Sequence, residues 1–457
     1  MTADFDVFII GAGQAGPPLA RALAKAGQRV ALAERKHLGG SCVNFGCTPT
    51  KAAFASARVA HVARRAGEYG VRIPSVAVDF KAVLQRAKGI VAQSVTHLDQ
   101  QMQSTDGLTL MREHARLAGR DGEYFTVAVG ERRFTARRVV LNTGTRNRIP
   151  PIEGIDDVPY IDADHWLAHD AVPEHLLIVG AGYVGLEMSQ FYRRMGAKVT
   201  VAHAEEQVAE HEDRDVADAL QRVLEGEGVR FLLGHRAKRF TRTATGVRTT
   251  LEAGGKAQSI DSSHLFLAVG RKPNTDDLGL DTVGVTLSDK GIVEVDERLA
   301  TTAKGIWAAG DIRGGPMFTH TSWDDYRILD SQLLGDGART TDRVVPYAIF
   351  TDPELGRVGM SERQARESGK RVRVGRFEMR DNGKAREIGE TSGFCKVVVD
   401  TESEQILGAA VLAAHGGELV HLFVDLMNAH ARYGVLRDAI HIHPTLAEAM
   451  QSAVAQL

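Results

Sequence analysis

The 457-residue sequence predicts an α/β protein: two units that alternate strands and helices around glycine-rich turns, followed by a smaller α+β domain. Three observations lead there. The stretch "FDVFIIGAGQAGPPLARALAKAGQRVALAE" runs from an apolar strand through a G-x-G-x-x-G turn and a helix-spaced segment to a second strand, the order of a βαβ unit. "HLLIVGAGYVGLEMSQFYRRMGAKVTVAH" repeats that order. Beyond Gly335 the chain changes to "VPYAIFTDPELGRVGMSE", an alternating strand "GFCKVVVD" and helical stretches, with no phosphate loop.

In the first unit, Gly11, Gly13 and Gly16 supply the turn, and Pro17 and Pro18 fall in the first helical turn, where a missing backbone donor costs little. Bare glycine backbone admits a pyrophosphate, the helix N-terminus stabilises its charge, and Glu34 ends the second strand where a carboxylate meets a ribose. The unit is therefore Rossmann-like and predicts a bound dinucleotide. "GGSCVNFGCTPTK" follows, with Cys42 and Cys47 just before a predicted helix. A structural staple, half of a metal site and a redox pair are all open at this point. The helical region from Ala52 to Met102 is expected to wall a pocket.

"VVLNTGTRNRIPPIEGI", with its Gly144 turn, has the character of a crossing between domains. The second unit places Gly180, Gly182 and Gly185 in the same turn and His203 after its second strand, so a second dinucleotide is expected. "TTAKGIWAAGDI" sets Gly310 and Asp311 at the end of a further strand, expected to return to the first unit with Asp311 accepting from a sugar-like chain of the first cofactor. The expected divisions are 1–148 and 270–335 for the first domain, 149–269 for the second and 336–457 for the third.

Bulk composition bounds the function. At 43% hydrophobic, 25% charged and a net charge of -2, the chain has no basic excess to neutralise phosphates, so nucleic acid is not an expected partner. No apolar run reaches the roughly 18 residues that span a bilayer, and the N-terminus lacks the basic and apolar segments of a secretory signal. The expectation is a soluble, cytoplasmic protein. A reducing compartment disfavours a structural disulfide, and zinc-ligand cysteines usually stand closer together with a second pair nearby, whereas the third cysteine, Cys395, is remote. Cys395 reads as a small buried hydrophobe. His415, Glu418 and His421 in "HGGELVH" lack metal-ligand spacing and are expected on a helix surface, so no metal site is predicted.

With these residues in place, the chain resembles a class I pyridine nucleotide-disulfide oxidoreductase, the group of dihydrolipoamide dehydrogenase, glutathione reductase and mercuric reductase. The first fingerprint, "GGSCVNFGCTPTK", the second fingerprint with "GLE", "AAGDI" and the final "HIHPTLAE" occur in the family's order. The resemblance implies FAD in the first unit, NAD(P)H in the second, and a C-terminal domain that forms a homodimer. It also implies that Cys42 and Cys47 form a redox-active disulfide, with Cys47 facing the flavin and Cys42 nearer solvent, attacking a small-molecule acceptor. The physics agrees: a helix N-terminus favours thiolate over thiol. Lys51, one turn after Cys47, is implied to direct its charge to the flavin with Glu187 as partner, and Tyr183 to cover the face where nicotinamide docks. His443 and Glu448 match the family's acid/base pair, which reaches the cysteines of the other subunit. His441 is expected only to pack or orient.

The implied reaction passes electrons from NAD(P)H through FAD and the dithiol to a disulfide or thiol-linked acceptor. Alternatives are reduction of a soft ion such as Hg(II) or Cu(II) at the same dithiol, a diaphorase or quinone reductase with bystander cysteines, and a dinucleotide-binding redox sensor without turnover. The stretch "CTPTKAAFASARVAH" resembles mercuric-reductase-like flavoproteins, but "MQSAVAQL" stands where mercuric reductases and large thioredoxin reductases carry a second cysteine pair. His203 occupies the place where NAD enzymes often have an acid and Ala204 lies near where NADP enzymes often have arginine. Glu205 and Glu206 repel a 2′-phosphate, so the balance tips modestly to NADH.

Overall fold

Val7, Phe8, Ile9 and Ile10 are buried on both faces, which only the centre of a covered parallel sheet satisfies. In the computed structural model, which describes residues 3–457, they belong to strand Phe5–Ile10. That strand pairs in parallel with Val30–Ala33 on one side and with Arg132–Leu141 on the other. Leu108–Met111 extends the sheet beyond Val30–Ala33. Ile306–Ala308, far along the chain, adds in parallel to Arg132–Leu141. Ala115–Asp121 and Tyr124–Val129 complete seven strands as an antiparallel meander. Helix Gly16–Lys25, with its prolines in the first turn, buries Leu19, Ala20, Leu23 and Ala24. Full burial of each leucine contributes about 1.5–3 kcal/mol.

A second sheet of five parallel strands has the order Arg230–Leu232, Lys198–Ala202, His175–Val179, His264–Leu267, Ile161–Asp162. Between the two sheets the chain crosses as a two-stranded antiparallel ribbon, Thr145–Asn147 with Arg271–Pro273. The third sheet is antiparallel, in the order Pro346–Ile349, Glu354–Gly359, Ile406–Ala413, Phe394–Asp400, Val372–Glu378.

Strand Phe394–Asp400 is buried at all seven residues. Of its two charged members, Lys396 ends among Asp213 at 3.1 Å, Asp215 at 3.1 Å and Glu362 at 2.7 Å, so its charge is satisfied by carboxylates rather than by water. Cys395 is fully buried, and burial pushes its thiol up. Among the described residues no helix is long and apolar enough to cross a membrane, and no group of three or more His, Cys, Asp or Glu is arranged to hold a metal ion.

Candidate active site

The first glycine turn is closed by one asparagine. A Cβ on Gly11 would lie 2.4 Å from the Asn142 carbonyl oxygen, one on Gly13 would lie 2.8 Å from Asn142 Oδ1, and one on Gly16 would lie 2.5 Å from the Gly11 carbonyl. Gly11 also has φ +100°, in the left-handed region. Asn142 Oδ1 accepts from Gly16 N at 3.0 Å, and its Nδ2 donates to Ala309 O at 2.8 Å. One side chain thus ties the turn to the segment before Gly310. Glu34 accepts from the backbone N–H groups of Ala12 (2.9 Å), Lys36 (2.8 Å) and His37 (3.1 Å), so it shapes the loop around the ribose position. Gly310, at φ +75°, donates to Asp325 at 2.8 Å. Burial pushes the Asp311 carboxyl up, while the Thr145 hydroxyl, donating at 3.0 Å, works the other way. Gly144, at φ +62°, turns the chain after Asn142. This side-chain-free cradle at a helix start fits the pyrophosphate of FAD.

The second turn repeats the construction. A Cβ on Gly180 would lie 2.3 Å from the Ala268 carbonyl and one on Gly185 2.0 Å from that of Gly180, whereas Gly182, at the start of helix Tyr183–Met195, faces open space. His203 stands in the place of Glu34: its Nδ1 faces the Ala181 N–H at 3.3 Å, as Glu34 does Ala12. Burial pushes the His203 imidazole down, against the pull of Glu210 and Glu205. Tyr183 packs nearly parallel to Tyr347, at 5.7 Å, and to Phe318, at 6.1 Å. Tyr347 in turn donates to Glu212 at 2.6 Å.

The cysteines lie between these units. Cys42 sits in the short helix Gly40–Asn44, and Cys47 begins the 18-residue helix Cys47–Arg64. Both are free thiols. Cys47, which opens the longer helix, is exposed, and Cys42, within the short one, is half-buried. Cys47 Sγ lies 3.1 Å from the Thr319 hydroxyl. Thr319 is the first residue of helix Thr319–Leu333, so two helix N-termini converge on one sulfur. The hydrogen bond from Cys42, the Thr319 hydroxyl and the Lys51 charge outweigh desolvation and hold the Cys47 thiol below its ordinary range. The same contact with Cys47, reinforced by burial, drives Cys42 the other way.

Lys51 Nζ lies 2.8 Å from Glu187 Oε2, and Glu187 Oε1 accepts from Phe350 N at 2.8 Å. The Lys51 ammonium also stands 4.5 Å from the centre of the Phe350 ring. The third sheet therefore holds the acid that holds the lysine.

His443 is not brought to the cysteines within one chain: its side chain is 76% exposed, and the groups that shift Cys42 and Cys47 do not include it. Its Nδ1 lies 3.0 Å from Glu448 Oε1. Thr445 N donates to Glu448 Oε2 at 2.8 Å, and that bond together with His443 holds the Glu448 carboxyl below the usual range. His441 also acts on Glu448, but its own Nδ1 is buried without a hydrogen bond. Around this pair Ile440 is wholly exposed and Ile442 is 80% exposed, an apolar surface flanking an ordered acid/base pair. His415, expected on a helix surface, instead precedes helix Gly416–Leu419 at φ 59° and lines a cavity of about 290 Å³ shared with Lys51 and Glu187.

Residues 5–325 match the family described as pyridine nucleotide-disulphide oxidoreductase, and residues 345–454 match its dimerisation domain. The chain belongs to the pyridine nucleotide-disulphide oxidoreductase family. It is 33% identical to a dihydrolipoyl dehydrogenase of Cupriavidus necator over 99% of this chain and 98% of that protein. It is 34% identical to the probable pyridine nucleotide-disulfide oxidoreductase RclA of Escherichia coli over 98% of each. Among solved structures, the Cu(II) complex of the HOCl-induced flavoprotein disulfide reductase RclA from Escherichia coli superposes with a TM-score of 0.88 at 33% identity, covering 98% of this chain and 99% of that one. LpdA from Mycobacterium tuberculosis gives 0.89 at 26% identity with the same coverage. As a member of this family the chain is a flavoprotein disulfide oxidoreductase that uses FAD and NAD(P)H. The matched dimerisation domain, which carries His443 and Glu448, points to a homodimer.

Asn142, Thr319 and Phe350 were not foreseen from sequence. Thr319 and Phe350 act across 272 and 163 residues, and only the "VVLNTG" strand end carries a local signal, for Asn142.

Proposed function

We propose that the enzyme carries electrons from NAD(P)H through FAD and the Cys42–Cys47 pair to a disulfide or thiol-linked small-molecule acceptor. The observation that carries this reading is the setting of Cys47: two helix N-termini, a hydroxyl and the Lys51 ammonium all favour a thiolate at one sulfur. Bound FAD would supply a two-electron carrier between the nicotinamide and the Cys42–Cys47 disulfide. Gly11, Gly13, Gly16, Glu34, Gly144, Gly310 and Asp311 are the residues assigned to hold it. Gly180, Gly182, Gly185 and His203 are those assigned to the nicotinamide nucleotide, with Tyr183 over the docking face.

In the acceptor half-reaction Cys42 gives its proton to His443 and, as thiolate, attacks one sulfur of the acceptor disulfide. The acceptor S–S bond breaks, a mixed disulfide forms and the first thiolate leaves, taking a proton from His443. Cys47 then attacks Cys42, re-forming the Cys42–Cys47 disulfide and expelling the second thiolate. Glu448 keeps the imidazole oriented between these steps. Because His443 is remote from its own chain's cysteines, the site is assembled from two subunits. Glu205 and Glu206, exposed beside His203, support a modest preference for NADH.

A second reading is reduction of a soft metal ion at the same dithiol. It is supported by the RclA relative, whose structure is described as a Cu(II) complex, and by the softness of thiolate ligands. An anaerobic titration with NADH of wild type and Cys42→Ser, followed by absorbance and then by acceptor assays, tests both readings. A two-electron form with a long-wavelength thiolate-to-flavin band in wild type, and no turnover in the variant, supports the dithiol; disulfides and Cu(II) as acceptors then separate the readings. Simple bleaching of the flavin with full activity in Cys42→Ser shows a diaphorase instead.

A further inference from the structure

Tyr183, assigned above to the face where nicotinamide docks, opens helix Tyr183–Met195 directly after Gly182. A side chain that covers a docking face must leave it and return, so whatever fixes its resting place governs how the nicotinamide is met. That neighbour comes from the dimerisation domain. Strand Pro346–Ile349 lies at the edge of the third sheet, and its Tyr347 packs on Tyr183 with the ring centres 5.7 Å apart and the planes at 22°. Phe318 closes the stack, 6.1 Å from Tyr183 and 5.3 Å from Tyr347, at 16° and 8°.

Tyr347 is itself anchored. In the antiparallel register it stands opposite Arg357 of strand Glu354–Gly359, so the two side chains share one face of the sheet. Both end on Glu212, which precedes helix Arg214–Gly226 of the second unit. The Tyr347 hydroxyl donates to Glu212 Oε1 at 2.6 Å, and Arg357 Nε stands 2.8 Å from Oε2. Arg357 also donates to the Ala409 carbonyl at 2.6 Å. Glu212 N donates to Ala209 O at 2.8 Å, and Ala209 N donates to Ala181 O at 2.9 Å, inside the second glycine turn. Ala209 has φ +45°, a left-handed conformation that costs a residue with a Cβ and persists only where its surroundings hold it. Glu212 and Arg357 are buried, and removing two charges from water costs about what their attraction returns, so stability alone does not account for the pair.

We propose that Tyr347 is a positioning residue of the nicotinamide half-reaction: anchored by Glu212 and Arg357, it gives the Tyr183 ring one resting place. The inference rests on the assignment of Tyr183 to the docking face and goes beyond it in naming what holds that ring. Tyr347 acts through Tyr183. The same edge strand leads into Phe350, whose N–H donates to Glu187 one helical turn after Tyr183, so the dimerisation domain steadies this helix at both residues.

The test follows reduction of the FAD-loaded enzyme by NADH in an anaerobic stopped-flow instrument. Tyr347→Leu is expected to lower the limiting rate about tenfold, the scale of a lost orientation, and to leave the half-saturating NADH concentration within about twofold. Tyr347→Phe keeps the ring but loses the bond to Glu212, and is expected about threefold below wild type. Added to Tyr183→Leu, Tyr347→Leu changes nothing further, because the residue it acts through is gone. Fluorescence decay of oxidised FAD reads the same placement without turnover, since an electron-rich phenol quenches the excited flavin more the closer it stands. The part of the decay that disappears in Tyr183→Leu should spread over several lifetimes in Tyr347→Leu. Flavin content reports on folding, and if Tyr347→Leu fails to hold FAD, Tyr347→Phe decides by the same comparisons. Reduction of the Tyr347 variants at the wild-type rate while Tyr183→Leu is altered, or a slowing by Tyr347→Leu that persists in the Tyr183→Leu background, overturns the role of Tyr347. Wild-type behaviour of Tyr183→Leu removes Tyr183 from the docking face, and the proposal with it.

Discussion

Thr319 adds to the preference for a thiolate at Cys47 that the hydrogen bond between the two cysteines sets first. Its hydroxyl lies 3.1 Å from Cys47 Sγ, and the first turn of its helix adds a field of the same sign. A hydrogen bond to a charged group contributes about 1.5–3 kcal/mol, which is about one to two pKa units. Thr319→Val is therefore expected to move thiolate formation in the reduced enzyme to higher pH by that amount. The sign follows from the shift: Cys47 is held low, so its thiolate persists as pH falls, and removing the donor makes it protonate earlier. The pH profile of alkylation by iodoacetamide, alongside that of the long-wavelength band, measures this; coincident profiles for wild type and variant would dismiss the role. His203 carries a second prediction. It faces Ala181 as Glu34 faces Ala12, and His203→Glu would place a carboxylate there. The variant is expected to raise the ratio of kcat/KM for NADH over NADPH by about tenfold through repulsion of the 2′-phosphate, and an unchanged ratio would remove His203 from coenzyme choice. What could be read from sequence at this scale was whatever sits near a motif. Lys51 and Glu187, named as partners by family position, stand 2.8 Å apart. Thr319 was not legible, because "MFTHTSW" has no local pattern and its meaning depends on a contact across 272 residues.

Strand Phe394–Asp400 and the helix start at 212–215 together show how an element is defined by what packs on it. The alternation of "GFCKVVVD" marks a strand but does not say whether its polar face meets water or charge. Here Lys396 meets Asp213 and Asp215 from the second unit and Glu362 from its own domain, while Arg357 holds Glu212 at 2.8 Å, so the two units are joined by ion pairs. Burial works against ionisation of Asp213, but the N–H groups of Arg363 and Glu362 and the Lys396 ammonium outweigh it and keep the carboxyl low. The Glu362 carboxyl is likewise low, its burial offset by Lys396 and Arg366. Carboxyls held low stabilise the fold above their ordinary values of about 4 and lose that contribution as pH falls through the depressed ones. Lys396→Met leaves the carboxylates facing one another and is expected to cost about 3–5 kcal/mol near neutral pH. In the variant acid relieves repulsion, so the difference from wild type should narrow as pH drops toward 4. Urea titrations at a series of pH values decide this, and a constant difference would place the cost in lost packing. Asn142 is a related case at the end of strand Arg132–Leu141. Asn142→Ala orphans both Gly16 N and Ala309 O, at about 1–3 kcal/mol each, and should show as lowered FAD retention on dilution.

At the scale of the whole molecule, the two glycine fingerprints and the change in character after Gly335 were enough to place two nucleotide-binding units and an α+β domain, because covered parallel sheets and phosphate loops leave strong local signals. What no single chain can display is a site divided between two. His443, paired with Glu448, is exposed to solvent beside the exposed Ile442, while no general acid of the same chain acts on the cysteines. Both deficits disappear if the homodimer brings His443 of one subunit to the dithiol of the other. Mixed dimers test that arrangement. Cys42→Ser and His443→Gln are each expected to lose disulfide turnover. Unfolded together in equal amounts and refolded with FAD, they assort at random, so half of the dimers are mixed. With sites shared across the interface, each mixed dimer contains one site with an intact Cys42 from one subunit and an intact His443 from the other, and about a quarter of wild-type turnover should return. With each site confined to one chain, no combination is intact and none returns. Recovery near a quarter, growing as refolding concentration favours dimers and absent when an Ile440→Asp change is added to both chains, would place the acid/base pair across the interface. Silence in the mixture, with both parents still binding FAD, would return His443 to a surface role and leave the proton to solvent.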